Sequence, residues 1–180
     1  MADLFGYRGA DVSECGRYRY RLWRRWGDGP VLTFVMLNPS IADGLLDDPT
    51  IRRCVSFAAR DGFEGIEVVN LFAQRATVPD VLVDVNDPVG PRNLEVVADV
   101  LDVADAVVVA WGAVALEVIG ERRRRGGEFD PRLTFRDRLR GGDGPAIECL
   151  GLTKDGHPRH PLYVKGDAPR RPWTGAEVAA

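Results

Sequence analysis

At 180 residues with a formal net charge of −3, the chain has the length of one domain and can bury a core without disulfide or metal staples. Hydrophobic residues make up 45% of it and charged residues 28%, an ordinary soluble composition, and the acidic balance argues against a protein that coats duplex nucleic acid nonspecifically. Cys15, Cys54 and Cys149 are far apart and odd in number, which favours reduced thiols in a cytoplasmic setting and is too few for an all-cysteine iron–sulfur cluster.

In chain order, Tyr18 to Trp26 (YRYRLWRRW) begins with alternation. Tyr18, Tyr20 and Leu22 fall on one face and Arg19 and Arg21 on the other, as in a half-buried strand. After a Gly27-Asp28-Gly29-Pro30 turn, Val31 to Leu37 (VLTFVML) is a continuous apolar run, suited to a strand covered on both faces. The two are expected to form a hairpin, with the first strand nearer the edge. Asp48 then caps a helix from Pro49 to Arg60 with Ile51, Val55, Phe57 and Ala58 inward. Ile66 to Leu71 is a second buried strand, followed by a long loop, AQRATVPDVLVDVNDPVGP. A helix over about 92–103, a third strand at Ala106 to Trp111 and a helix over 113–125 come next. A short helix between Pro131 and Arg140 and a fourth strand at Ala146 to Leu150 complete the core. The tail from Arg170 onward reads as irregular.

Strands alternating with helices predict a three-layer α/β/α sandwich. Its central sheet is mainly parallel and four-stranded, with an N-terminal edge strand added. One domain spans 1–180, its core at about 17–165 and its tail, 166–180, peripheral. No apolar run is long enough to cross a bilayer, and the first residues lack the apolar centre of a secretory signal, so no membrane partner is expected.

In open α/β sheets, ligands bind at the carboxyl ends of the strands. There the chain places Asn38-Pro39-Ser40 after the first core strand and Asn70 at the end of the second, with Arg75 and Thr77 just beyond. Trp111-Gly112 follows the third strand. The loop GLTKDGHPRHPLY, which carries both histidines of the chain, His157 and His160, with Pro161, Leu162 and Tyr163, follows the fourth. This rim has no Walker A lysine, no GxGxxG and no GxSxG, which excludes standard nucleotide-triphosphate, dinucleotide and α/β-hydrolase sites.

Each candidate has a plainer reading. Asn38 and Asn70 suit Asx turns at strand ends. Arg75 and Thr77 suit loop anchors, and Trp111 suits core. Asp43, Asp47 and Asp48 are either ligands for a hard cation or acids favoured at a helix start. His157 and His160 sit in a proline-punctuated loop without a Cys-x-x-Cys partner, so no metal and no other cofactor is expected. The Arg122–Arg125 block is a solvated helix end or a phosphate contact.

From Tyr18 to Trp173 the sequence resembles the bacterial and phage family known as domain of unknown function 1643. The resemblance is carried by Tyr20-x-Leu22-Trp23, Val35-Met36-Leu37-Asn38-Pro39-Ser40-x-Ala42-Asp43, Asp48-Pro49-Thr50 and Asn70-Leu71-Phe72-Ala73-x-Arg75-Ala76-Thr77. Asp87-Pro88-Val89-Gly90, Ala110-Trp111-Gly112 and Gly156-x-Pro158-x-His160-Pro161-Leu162-Tyr163 complete it. More distantly, the order Leu37-Asn38-Pro39, Val68-Val69-Asn70-Leu71, Ala110-Trp111-Gly112 and His160-Pro161-Leu162 is similar to the motif order of the uracil-DNA glycosylase superfamily. That likeness implies a DNA glycosylase-like hydrolase of an N-glycosidic bond, active in DNA repair or modification. Asn38 would orient water, Asn70 would read the base and His160 would stabilise the departing base, with Phe72 stacking on it or belonging to the core. The usual His-Pro-Ser-Pro loop is His-Pro-Arg-His-Pro here, so His157 and His160 both stand as the functional imidazole, and His160 gives the closer match. The implied partner is DNA, single-stranded or with a flipped base, or a free nucleotide. The alternatives are a non-catalytic module that binds nucleic acid or a modified nucleotide, and an unrelated small-molecule α/β enzyme.

Overall fold

The computed structural model describes residues 7–40, 42, 44–127, 130–132 and 144–175. Its centre is β3 (Val31–Met36), buried at every position. Leu32, Phe34 and Met36 join one core cluster, while Val35 and the following Leu37 join another on the opposite face. A strand apolar on both faces is stable only inside a sheet. β3 pairs in parallel with β4 (Gly65–Asn70) on one side and with β5 (Ala106–Val109) on the other. Beyond β5, β6 (Ile147–Cys149) adds a further parallel strand.

The sheet has seven strands, in the order β1-β2-β4-β3-β5-β6-β7, where four parallel strands and one edge strand were expected. β1 (Arg8–Val12), β2 (Arg19–Arg25) and β7 (Arg171–Pro172) are all antiparallel to their neighbours and lie outside the parallel group. The expected hairpin between β2 and β3 does not form, because β2 pairs with β4. The Gly27–Pro30 turn wraps the start of β4 instead. Trp26 and Gly27 donate their backbone N–H groups to the Glu64 carbonyl, and Glu64 N–H donates back to Pro30. The tail also departs from expectation: Arg171–Pro172 pairs with β6, and Trp173 packs edge-on against Trp111 with ring centroids 5.4 Å apart.

The helices form for reasons visible locally. α1 (Pro49–Arg60) starts where the Asp48 carboxylate accepts the Ile51 N–H at 2.8 Å and proline occupies the first position, a pre-set start with a satisfied donor. It buries Ile51, Cys54, Phe57 and Ala58 in the cluster that holds Phe34 and Met36. Cys54 takes the inward place expected of Val55, which is only partly buried. α3 (Asn93–Asp102) and α4 (Val114–Arg124) cover the opposite face through Val96, Val97, Val100, Leu101, Ala115, Val118 and Ile119. The long loop after β4 contains a single turn of helix, α2 (Val81–Asp84). Arg122 of α4 closes it by donating to the carbonyls of Leu82 and Val85, both at 2.7 Å. The arginine block is therefore engaged within the protein: Arg123 pairs with Asp130, and Arg124 and Arg125 both pair with Glu121. The helix expected between Pro131 and Arg140 lies almost wholly outside the described residues.

Candidate functional site

The two strands that flank β3 are the next two parallel strands in the chain, one on each side. The connections after β3 and β5 therefore leave in opposite directions and open a crevice at their carboxyl ends, where α/β sheets bind ligands. A cavity of about 590 Å³ occupies that crevice, a size in the range of small-molecule sites, roughly 300–1,000 Å³. Met36, Leu37, Asn38 and Ser40 line it from the end of β3, and Asp48, Thr50 and Ile51 from the start of α1. Ala76 and Thr77 come from the loop after β4, Trp111 to Val114 from the start of α4, and Thr153, Arg159, His160, Leu162 and Tyr163 from the loop after β6.

Asn38 is fixed from behind. Its Nδ2 donates to the Ala76 carbonyl at 2.8 Å and to the Pro39 carbonyl at 3.0 Å, while the Ala76 N–H donates to the Pro39 carbonyl at 2.9 Å. Both amide protons are thus spent on carbonyls, which sets the orientation of the carboxamide and leaves Oδ1 as its one remaining polar group, an acceptor.

His160 is oriented by the turn that it starts. Its Nδ1 accepts the Leu162 N–H at 3.3 Å ahead of the 3₁₀ turn Pro161–Tyr163. Accepting at Nδ1 places the proton of the neutral ring on Nε2, so the ring offers a donor there. Burial holds its pKa below the ordinary 6.5, and the Asp48 carboxylate acts in the opposite sense. The imidazole is therefore neutral at pH 7. Gly112 lies beside it: its φ of +77° favours glycine, while a Cβ there would meet the Cβ of His160 at 3.5 Å, an ordinary contact.

Asn70 closes β4 and is 1% exposed. It shares the sheet face of Ile66 and Val68 by strand alternation and lies abreast of Met36, which lines the cavity, but unlike Asn38 and His160 it is not itself one of the lining residues. Its Nδ2 and Oδ1 have no partner among the described residues. A buried amide with neither group satisfied costs about 1–3 kcal/mol for each group, and groups left in this state call for an explanation.

The remaining expected residues divide. Ser40, Thr77, Trp111, Gly112, Leu162 and Tyr163 line the cavity, Tyr163 at its edge with 76% exposure. Pro39 and Pro161 are buried and do not line it. Phe72 belongs to the core cluster with Val69 and Leu71. Arg75 ties its loop down by donating to the Gly16 carbonyl at 3.3 Å. His157 is buried inside the 152–158 turn, its N–H donating to Thr153 Oγ1 at 3.1 Å and its carbonyl accepting the Thr153 N–H at 2.8 Å. Of the two histidines, only His160 lines the cavity. Asp43 lies outside the described residues. Asp47 is paired with Arg24 and Asp48 caps α1, and no group of three or more potential metal ligands gathers among the described residues.

The structure adds one buried wall residue that the sequence did not single out. Asp11 faces Arg21 and Val12 faces Arg19, so Tyr20 is the extra residue of a bulge in β2. Bulges re-aim the side chains beside them. Arg19, expected to point outward, is 2% exposed, lines the cavity and donates to the Ala42 carbonyl at 2.6 Å. Thr50, Thr153 and Arg159 are likewise new. No helix among the described residues is long and apolar enough to span a membrane.

Among known proteins, the family model described as protein of unknown function (DUF1643) matches residues 19–162, which contains every described residue that lines the cavity except Tyr163. No curated protein matches the chain. No solved structure matches it either.

Proposed function

Because the chain belongs to the DUF1643 family, whose description names no activity, its function has to be read from the site, and we propose that it recognises a nucleobase in a nucleoside or nucleotide and hydrolyses the N-glycosidic bond. The observation that carries this reading is a cavity lined by an acceptor on Asn38 and a donor on His160, with the Asn70 amide, unpartnered among the described residues, one strand over from cavity-lining Met36. A carboxamide offers a donor and an acceptor side by side, the pattern of a pyrimidine edge. The likeness of four motifs to the uracil-DNA glycosylase superfamily points the same way, as does their position after successive parallel strands.

In this reading water attacks the anomeric carbon as the bond to the base nitrogen breaks. The bonding pair leaves with the base, and the proton lost by water ends on the base or in solvent. Asn38 Oδ1 accepts from the incoming water and fixes its direction. It is not ionisable, and an oxocarbenium-like sugar needs only a weak nucleophile. His160 Nε2–H faces the negative charge that develops on the base, where one aimed donor is worth about 3 kcal/mol of barrier. If the base belongs to a duplex, it must first be extruded.

The test is a base-release assay with nucleosides, nucleotides and single- and double-stranded oligonucleotides carrying normal and modified bases. Release by the native protein should fall at least tenfold in His160→Ala and in Asn38→Ala, with binding retained. Binding with no release by the native protein would identify a recognition module instead, and unchanged release in His160→Ala would refute the catalytic assignment.

A further inference from the structure

The polar groups of the cavity wall differ in what they can bind. The guanidinium groups of Arg19 and Arg159 only donate. In the proposed chemistry His160 presents a donor to the base and Asn38 Oδ1 accepts from water. Asp48 is the one carboxylate among the described residues that line the cavity, and that chemistry does not use it. One of its oxygens accepts the Ile51 N–H at 2.8 Å and so caps α1. The other makes no hydrogen bond among the described residues. Capping alone does not call for a full charge in the cavity wall, since serine or asparagine caps a helix about as well as aspartate.

An ionised acceptor selects donors, and it binds a hydroxyl roughly twice as strongly as a neutral acceptor does. Which part of the ligand meets it follows from its neighbours. Burial lowers the His160 pKa and the Asp48 carboxylate acts against that effect, so the two groups lie within electrostatic reach of each other across one cavity. His160 faces the departing base in the proposed chemistry, and the group bonded to that base is the sugar. Sugars offer hydroxyl donors. Ser40, just after β3, and Thr50, in the first turn of α1, line the same cavity and add hydroxyls that can both donate and accept.

We propose that the open oxygen of Asp48 accepts the 2′-hydroxyl of a ribose, so that the substrate is a ribonucleoside unit and not a 2′-deoxyribonucleoside. This rests on the reading of the cavity as a nucleobase site and narrows it to one sugar. The contact also serves the reaction. Hydrogen bonds to the sugar 2-hydroxyl strengthen as the ring becomes cationic. The hydroxyl keeps its proton, and its donation to a carboxylate enriches the oxygen next to the anomeric carbon in electron density. A 2′-deoxy sugar would set a C–H group against the carboxylate, displacing water from a charge and returning no hydrogen bond, which is how a polar site rejects an analogue that lacks a hydroxyl.

The experiment is calorimetric titration of the whole protein with the common ribonucleosides, their 2′-deoxy counterparts, methyl β-ribofuranoside, and single-stranded RNA and DNA of one sequence. One ribonucleoside, or the RNA, should bind at least about tenfold more tightly than its 2′-deoxy counterpart, and which of the two shows it tells a free ribonucleoside from a ribose within a strand. Asp48→Ser keeps a capping side chain but is shorter and uncharged. Its melting temperature should stay close to that of the native protein while the preference for ribose disappears. Asp48→Asn, which caps equally well and accepts without charge, should keep only part of the preference. Equal binding of ribose and 2′-deoxyribose forms would overturn the proposal and leave the nucleobase reading intact. A preference that survives in Asp48→Ser, even with base release from both sugars reduced, would overturn the assignment to Asp48. Binding of methyl β-ribofuranoside by the native protein but not by Asp48→Ser, with no nucleoside bound more tightly, would keep the sugar contact and remove the nucleobase reading. No binding of any ribose compound would overturn the proposal.

Discussion

Asn70 poses the sharpest question at the level of single residues. Leucine has nearly its shape and no polar atoms, so Asn70→Leu removes two unsatisfied groups from a buried site. The variant should be more stable by about 1–3 kcal/mol for each group removed and should lose ligand binding. Denaturant unfolding with a binding titration checks both, and a loss of stability would show that the amide has a partner within the fold. His160 gives a second prediction. Its folded pKa lies below the ordinary 6.5, so on acidification the unfolded chain takes up a proton before the folded one does. The stability linked to the neutral ring is complete above about 6.5 and is lost as pH falls through the lower folded value. Protonation also turns Nδ1 into a donor and breaks its bond with Leu162 N–H. The melting temperature of the native protein should drop more steeply between pH 7 and about 5 than that of His160→Gln. Asn38 and His160 were legible in the sequence because strand ends announce themselves. Arg19 was not, since its inward turn depends on a bulge that shows only once β1 is paired.

Among the elements, the start of α1 was the easiest to read, because an aspartate, a proline and an inward face at helical spacing coincide there. Asp48→Ala should cost about 1 kcal/mol, typical of a lost helix cap, measured by chemical denaturation. β3 and β4 were equally plain as apolar runs. Their neighbours were not. β2 ends at Arg25 and β4 starts at Gly65, so the two pair across a whole strand and helix, and nothing in the local pattern of β2 distinguishes that partner from β3, which lies just past the turn. β7 is two residues long and carries no periodicity at all. What holds it is Trp173 against Trp111 and the Arg170 pairs with Asp61 and Glu148, all of them long-range. α2 was hidden because four residues are too few for a helical period to emerge, and its support comes from Arg122 on another element.

On the scale of the whole molecule, one continuous sheet carries apolar clusters on both faces, and β3, β4 and β5 contribute side chains to both. Neither cluster can come apart without breaching the shared strands. The protein should therefore melt in a single calorimetric transition whose measured and van't Hoff enthalpies agree. Two separated transitions would show that the sheet divides.

The placement of β4 between β2 and β3 reaches back to the ribosome. A nascent chain that has emerged only as far as the end of α1 exposes two neighbouring strands with no strand to join them, and β3 is apolar on both sides. During that interval the growing polypeptide is open to self-association through its bare edges, and the gap closes only when residues 65–70 leave the exit tunnel and slot into it, the far edge of β3 waiting for β5.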